Sequence, residues 1–221
     1  MTKKITLWTI QTFSFYEKLK RDSQIHITHS EYLDPEELDG YDWMITHCDY
    51  LARKTSDGYD WMRNAMKTRI GEPPVQHCMP IWAWYQWQSQ TKKKPDLRYS
   101  GHLEAGTHAV RLEIIKDIDD VVLSDFILWH TPYCYKNYIP YNQNDELKME
   151  SLINSLHLQD TDFFDYPDHL KSIIRKSWNH IFDLNFPNLE YTDPLAQKSI
   201  QATFWSLHME EVVKVQEFIA R

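Results

Sequence analysis

Residues 4–11 read KITLWTIQ, and their alternation decides how the rest of the chain is taken. Ile5, Leu7, Thr9 and Gln11 share one parity, Thr6, Trp8 and Ile10 the other. A period of two carried by β-branched and aromatic residues describes a strand rather than a helix. Directly downstream, Ser14 and Glu17 have the spacing of a capping box, and Phe15, Tyr16 and Leu19 put apolar groups on one side of a short helix. The predicted opening unit is therefore strand, tight turn, helix.

The same period recurs further out. In IWAWYQW (81–87), Trp82, Trp84 and Gln86 are expected on one face and Ile81, Ala83, Tyr85 and Trp87 on the other, a strand covered on both sides. Residues 108–115 place Val110, Leu112 and Ile114 opposite Arg111 and Glu113, and the last two read as a cross-strand ion pair. Residues 121–123 form a short strand, Ser124 and Asp125 are natural N-caps for FILWHT, and Pro132 ends or kinks that helix. Helical periodicity covers 145–158 through Leu147, Leu152 and Leu156, and 168–184 through Ile173, Ile174, Trp178, Ile181 and Phe182. A strand at 199–207 is predicted to run into a helix at 209–220. Strands near both termini and in the middle, with helices between them, predict one α+β domain over 1–221 around a mixed or largely antiparallel central sheet.

One stretch breaks this order. GYDWM at 40–44 recurs at 58–62, an offset of eighteen residues, about five helical turns. In the second copy Tyr59, Met62, Met66 and Arg69 fall on one helical stripe, which Gly71, Glu72, Pro73 and Pro74 terminate. Residues 30–58 read as a loop or insertion.

Composition excludes several chemistries. Only five glycines are present, at 40, 58, 71, 101 and 106, so the glycine-dependent phosphate loops and the nucleophile elbow cannot be placed. Cys48, Cys78 and Cys134 lack any C-x-x-C spacing and read as three thiols of a reducing, cytoplasmic compartment. No apolar stretch is long enough to span a membrane. The net charge of −8 opposes nonspecific attraction to a phosphate backbone. Eleven histidines show no zinc-ligand spacing, and no metal is expected.

Two features point to binding. Trp82, Trp84, Tyr85 and Trp87 can stack on a nucleobase or nicotinamide, and the neighbouring Lys92, Lys93, Lys94 and Arg98 can meet phosphates. Gln11 and Gln201 are amides inside apolar runs, which must satisfy backbone groups or hold a ligand.

LWTIQT (7–12), YDWM (59–62), MKTRIG (66–71), PIWAWYQW (80–87), KPDLR (94–98), VRLEI (110–114), VVLSDFILWH (121–130) and IQATFW (200–205) resemble, in order and over nearly the whole chain, the bacterial family called domain of unknown function 3841. The extra GYDWM at 40–44 and Pro132 depart from that pattern. In architecture the chain also resembles ADP-ribosyltransferases that modify nucleic acids, whose opening strand touches NAD and whose closing strand bears a catalytic Glu or Gln. That resemblance implies NAD as cofactor, Thr9 and Gln11 on it, Trp82, Trp84 or Tyr85 stacked on nicotinamide, Arg98 at the pyrophosphate and Gln201 as the catalytic residue. The alternative is a non-catalytic module whose aromatic cleft binds a nucleotide, nucleic acid or protein partner.

Overall fold

The computed structural model describes residues 3–28 and 49–221, so the first GYDWM copy and Cys48 lie outside the described residues. The opening alternation becomes β1 (Lys4–Thr12), with Ile5, Leu7 and Thr9 buried on one face. It runs into α1 (Phe13–Asp22), capped by Thr12 rather than Ser14. The Thr12 Oγ1 accepts the Phe15 amide at 3.2 Å, and the Ser14 hydroxyl pairs with the Thr12 hydroxyl instead. Two short strands come next, β2 (Gln24–Ile25) and β3 (Ile27–Thr28). The second GYDWM copy sits in α2 (Asp49–Ile70), so 49–58 is helical rather than loop, and Gly71 at φ +85° ends the helix as expected.

The central chain supplies β4 (Cys78–Met79), β5 (Ile81–Gln86), β6 (His108–Asp117), β7 (Val122–Asp125) and α3 (Phe126–His130). Pro132 does not simply stop α3. The chain loosens into a wide turn, Thr131–Tyr135, closed by the Lys136 amide on the Thr131 carbonyl at 2.7 Å. Then come α4 (Gln143–Ser155), α5 (Asp168–Ser177), β8 (Ile200–Phe204), β9 (Leu207–His208) and β10 (Val212–Ile219). β10 replaces the helix expected at 209–220. Its residues pair with β6 from Val212 opposite Ile114 to Ile219 opposite His108, so ladder bonds override the helix-like spacing of its apolar groups.

Six strands form one sheet in the order β10-β6-β1-β5-β8-β7, every neighbouring pair antiparallel. One face carries Leu7, Ile81, Leu112, Ala202 and Phe204 against Leu19 of α1 and Leu207. On the other, Val122 meets a helical layer holding Met62, Met66, Trp129, Ile174 and Trp178. In that layer α2 packs closely on the turn after α3: a Cβ on Gly58 would stand 2.6 Å from the Pro132 carbonyl oxygen. Leu147, counted with the apolar side of its helix, is exposed, and Met149 takes the buried position.

Candidate functional site

In an antiparallel sheet, directly paired residues point to the same face. The register pairs Lys214 with Glu113, Glu113 with Trp8, Trp8 with Trp84, Trp84 with Gln201 and Gln201 with Ser124. These side chains form one row on the face of the helical layer. Trp8 Nε1 donates to Glu113 Oε2 at 3.1 Å, and the Trp84 ring meets the edge of Phe126 at 5.0 Å. Further along, Gln201 Oε1 and Ser124 Oγ are buried without a hydrogen-bond partner among the described residues, as is Trp82 Nε1. Trp82 packs among Tyr59 and Trp129.

Thr9 and Gln11 belong to the opposite face. Thr9 Oγ1 donates to the Trp82 carbonyl at 2.8 Å, and Gln11 Nε2 donates to Thr9 Oγ1 at 2.7 Å, so these two polar groups satisfy one another and the backbone. The single cleft of Thr9, Gln11, Trp84, Arg98 and Gln201 implied by the transferase resemblance is therefore not formed, because strand parity sends the opening-strand pair and Gln201 to different sides of the sheet.

A bulge changes where the aromatic strand ends. Trp84 pairs with Gln201 and Gln86 with Ile200, which leaves Tyr85 as an extra residue. A bulge re-aims the side chains beyond it, and Trp87, expected with Ile81 and Ala83, instead shares a groove with Trp8. Past the bulge, Gln86 is buried and its Nε2 donates to the carbonyls of Leu195 and Lys198.

The groove encloses about 640 Å³ and is walled by Trp8, Trp87, Lys92, Lys93, Lys94, Asp96, Arg98 and Arg111, among others. Its rim is a tight turn, with the Trp87 amide bonded to the Lys93 carbonyl at 2.9 Å and the Lys92 amide to the Ser89 carbonyl at 3.0 Å. Arg111 ties that rim to the sheet. Its guanidinium donates to the Pro95 carbonyl and, at 2.5 Å, to Gln216 Oε1. Among the described residues the expected cross-strand ion pair is not made: Glu113 accepts from the Trp8 indole, and its charge reaches Arg111 without a direct contact. Arg98, 77% exposed, grips Asp96 and holds that carboxyl well below the usual range.

Among the described residues none of the three lysine ammoniums has an ion-pair partner; Lys93 Nζ lies 5.3 Å from the Tyr85 ring. Burial, then repulsion from Arg111 and Lys214, pushes Lys94 below its ordinary pKa. A chain of net charge −8 thus gathers five cationic side chains and one carboxylate around a single groove. Of the residues singled out from sequence, Trp87 and Arg98 lie here with the lysine run; Trp84 and Gln201 sit along the adjoining row, Trp82 in the next pairing opposite Thr203, and Tyr85 at the bulge. Trp8 and Arg111 were not in that set, and neither was the placement of Trp87 beside them. Their convergence depends on a bulge and on strand pairing across more than seventy residues, for which no local pattern exists.

The family described as Domain of unknown function (DUF3841) matches residues 6–213. The chain belongs to this family. No curated protein and no solved structure matches it. Among the described residues no three His, Cys, Asp or Glu side chains gather as a metal site requires, no helix is long and apolar enough to cross a membrane, and Cys78 and Cys134 carry no disulfide.

Proposed function

We propose that this domain binds a phosphorylated ligand carrying an aromatic ring, a nucleotide by chemical class, in the groove beside Trp8 and Trp87. The observation behind this reading is the set of three ammoniums without an ion pair among the described residues and two guanidiniums, facing Asp96 with Glu113 at the edge. Phosphate oxygens neutralise such a cluster through charge-assisted bonds, and they relieve the repulsion felt by Lys94. Trp8, half-buried with its nitrogen fixed on Glu113, offers an indole on which a base can stack. Five glycines in the whole chain mean that side chains, rather than close backbone approach, hold the phosphates.

Among the described residues the lining supplies no acid–base pair: it has no histidine or cysteine, Asp96 is committed to Arg98, and Glu113 at its edge to Trp8. Binding is thus better supported than catalysis. NAD falls within the ligand class, and an NAD-using transferase in which Gln201 orients the acceptor is the reading against which binding alone is to be set.

Titration with ADP, NAD and pyrophosphate, read by tryptophan fluorescence, tests this. All three are expected to bind, more weakly as salt rises. The combined variant Lys92→Ala, Lys93→Ala, Lys94→Ala loses about tenfold or more, and Trp8→Leu weakens ADP and NAD but not pyrophosphate. Failure of all three ligands to bind at millimolar concentration, or affinity unchanged in the triple variant, removes the reading. NAD-dependent mass added to a nucleic acid or protein, lost in Gln201→Ala, would establish the transferase instead.

A further inference from the structure

A second cavity, of about 350 Å³, lies between α4, residues 135–140, residues 161–166 and Tyr191. Its walls include the rings of Tyr138, Phe163, Tyr166 and Tyr191 together with the aliphatic Ile153 and Ile174, and its carboxylates are Glu146, Glu150 and Asp162. Two of the phenol protons are already taken: Tyr191 donates to Glu146, and Tyr138 to Asp145 at 2.8 Å. Burial, reinforced by those carboxylates, pushes Tyr138 up to about 12 and Tyr191 higher than an ordinary phenol. Glu150 is exposed and has no hydrogen bond or ion pair among the described residues.

The two neighbouring cations are already committed. Lys136 and Arg175 share Asp57, and they lie 5.4 Å from the rings of Trp178 and Phe163 respectively. The Lys136 side chain has no exposed surface, so its ammonium does not project into the cavity. A space walled by aromatic faces and by more carboxylates than cations disfavours anions, and a neutral guest would leave the Glu150 carboxylate without a countercharge. A cation satisfies both the rings and the carboxylates. The volume is near the lower end for small-ligand pockets, which suits one compact group.

We propose that this cavity binds an alkylammonium group, carried by a free polyamine or by a lysine side chain. The assignment is independent of the nucleotide groove, and each stands if the other fails.

The test uses the whole chain and n-butylammonium, with n-butanol as its neutral counterpart, followed by calorimetry and by chemical-shift changes. Butylammonium is expected to saturate and butanol not. Glu150→Gln, at an exposed position, and Tyr166→Leu each weaken binding about fivefold or more, while the triple-lysine variant of the groove binds as the wild type does. Spermidine and N-acetyl-lysine-methylamide, titrated side by side, distinguish the two sources. No saturable binding, equal binding of butanol, or affinity unchanged by Glu150→Gln overturns the proposal.

Discussion

The groove and the cavity are opposite in charge and in construction. The groove sets three lysines and two arginines against one carboxylate, whereas the cavity sets three carboxylates against a buried, committed Lys136. A turn laid over a sheet forms the first, and its cations are largely consecutive in sequence. The second is enclosed by helix and irregular backbone, and its acids are scattered from 146 to 162. Net charge therefore describes neither region: the same chain presents one surface suited to anions and another suited to cations.

The largest expected effect strikes the frame that both regions share. Asp125 accepts the amides of Ile127 and Leu128 at 2.9 and 3.1 Å to cap α3, and also the Thr192 hydroxyl, while its charge is met by Lys198 at 2.6 Å. Both side chains are essentially fully buried. Lys198→Met leaves that carboxylate without its countercharge and should cost about 3–5 kcal/mol, measured by urea unfolding, with both binding activities lost together as the fold weakens. A cost below about 1 kcal/mol would show that the cap alone sustains Asp125.

Next comes a pH effect confined to the cavity side. Burial holds Lys136 down to about 8, against an ordinary value of 10.5. Between those values the unfolded chain binds a proton that the folded chain has released, so stability rises with pH across the window. Relative to Lys136→Met, wild type should gain on the order of 2–3 kcal/mol from pH 7.5 to pH 10. Tyr138, whose folded value is near 12, acts in the opposite sense only above pH 10. Parallel stability curves for the two proteins would mean that Lys136 keeps its proton, and the contrast with the solvated lysines of the groove would weaken.

Gly58→Ala separates the two regions structurally. Alanine favours a helix by roughly 0.5–1 kcal/mol, but its Cβ would meet the Pro132 oxygen at 2.6 Å and the Tyr133 Cα at 2.9 Å, both backbone atoms that cannot rotate aside. Overpacking of about 1–3 kcal/mol should prevail. The displaced turn leads to Tyr135 and Lys136 at the cavity. Butylammonium binding should therefore fall while pyrophosphate binding in the groove holds; equal loss of both would deny their independence.

These contrasts also show which elements are legible in sequence. β1, β5 and β6 are, because their alternation matches strands with one face fully buried, as the burial of Leu7, Ile81 and Leu112 shows. β10 is not. Val212, Val215 and Phe218 are its half-buried positions, a spacing of three along an edge strand interrupted by a register shift after Val212, and that spacing imitates a helix. Within the groove the lysine run is visible as charge beside tryptophans. Simple alternation puts Trp87 on the wrong face, since the bulge at Tyr85 arises from pairing with Gln201 and Ile200, and nothing in IWAWYQW announces it. The cavity leaves no signal at all, because its rings and acids come from four separate segments.

The smallest expected effect concerns Gln201, on the row that leads from the groove into the helical layer. Its Oε1 and the Ser124 Oγ opposite are buried without partners among the described residues. An unsatisfied buried acceptor costs about 1–3 kcal/mol, and replacing it by an apolar group of similar shape is close to neutral or stabilising. Gln201→Met should thus change unfolding stability by less than about 1 kcal/mol, and Ser124→Ala by no more. If Gln201→Met instead destabilises by about 2 kcal/mol, the amide is held by an ordered water, and that water, bridging to Ser124, makes the row structural. If stability is unchanged while ADP binding in the groove falls, the amide is reached by the ligand, and the contact extends from Trp8 past Trp84 to the closing strand.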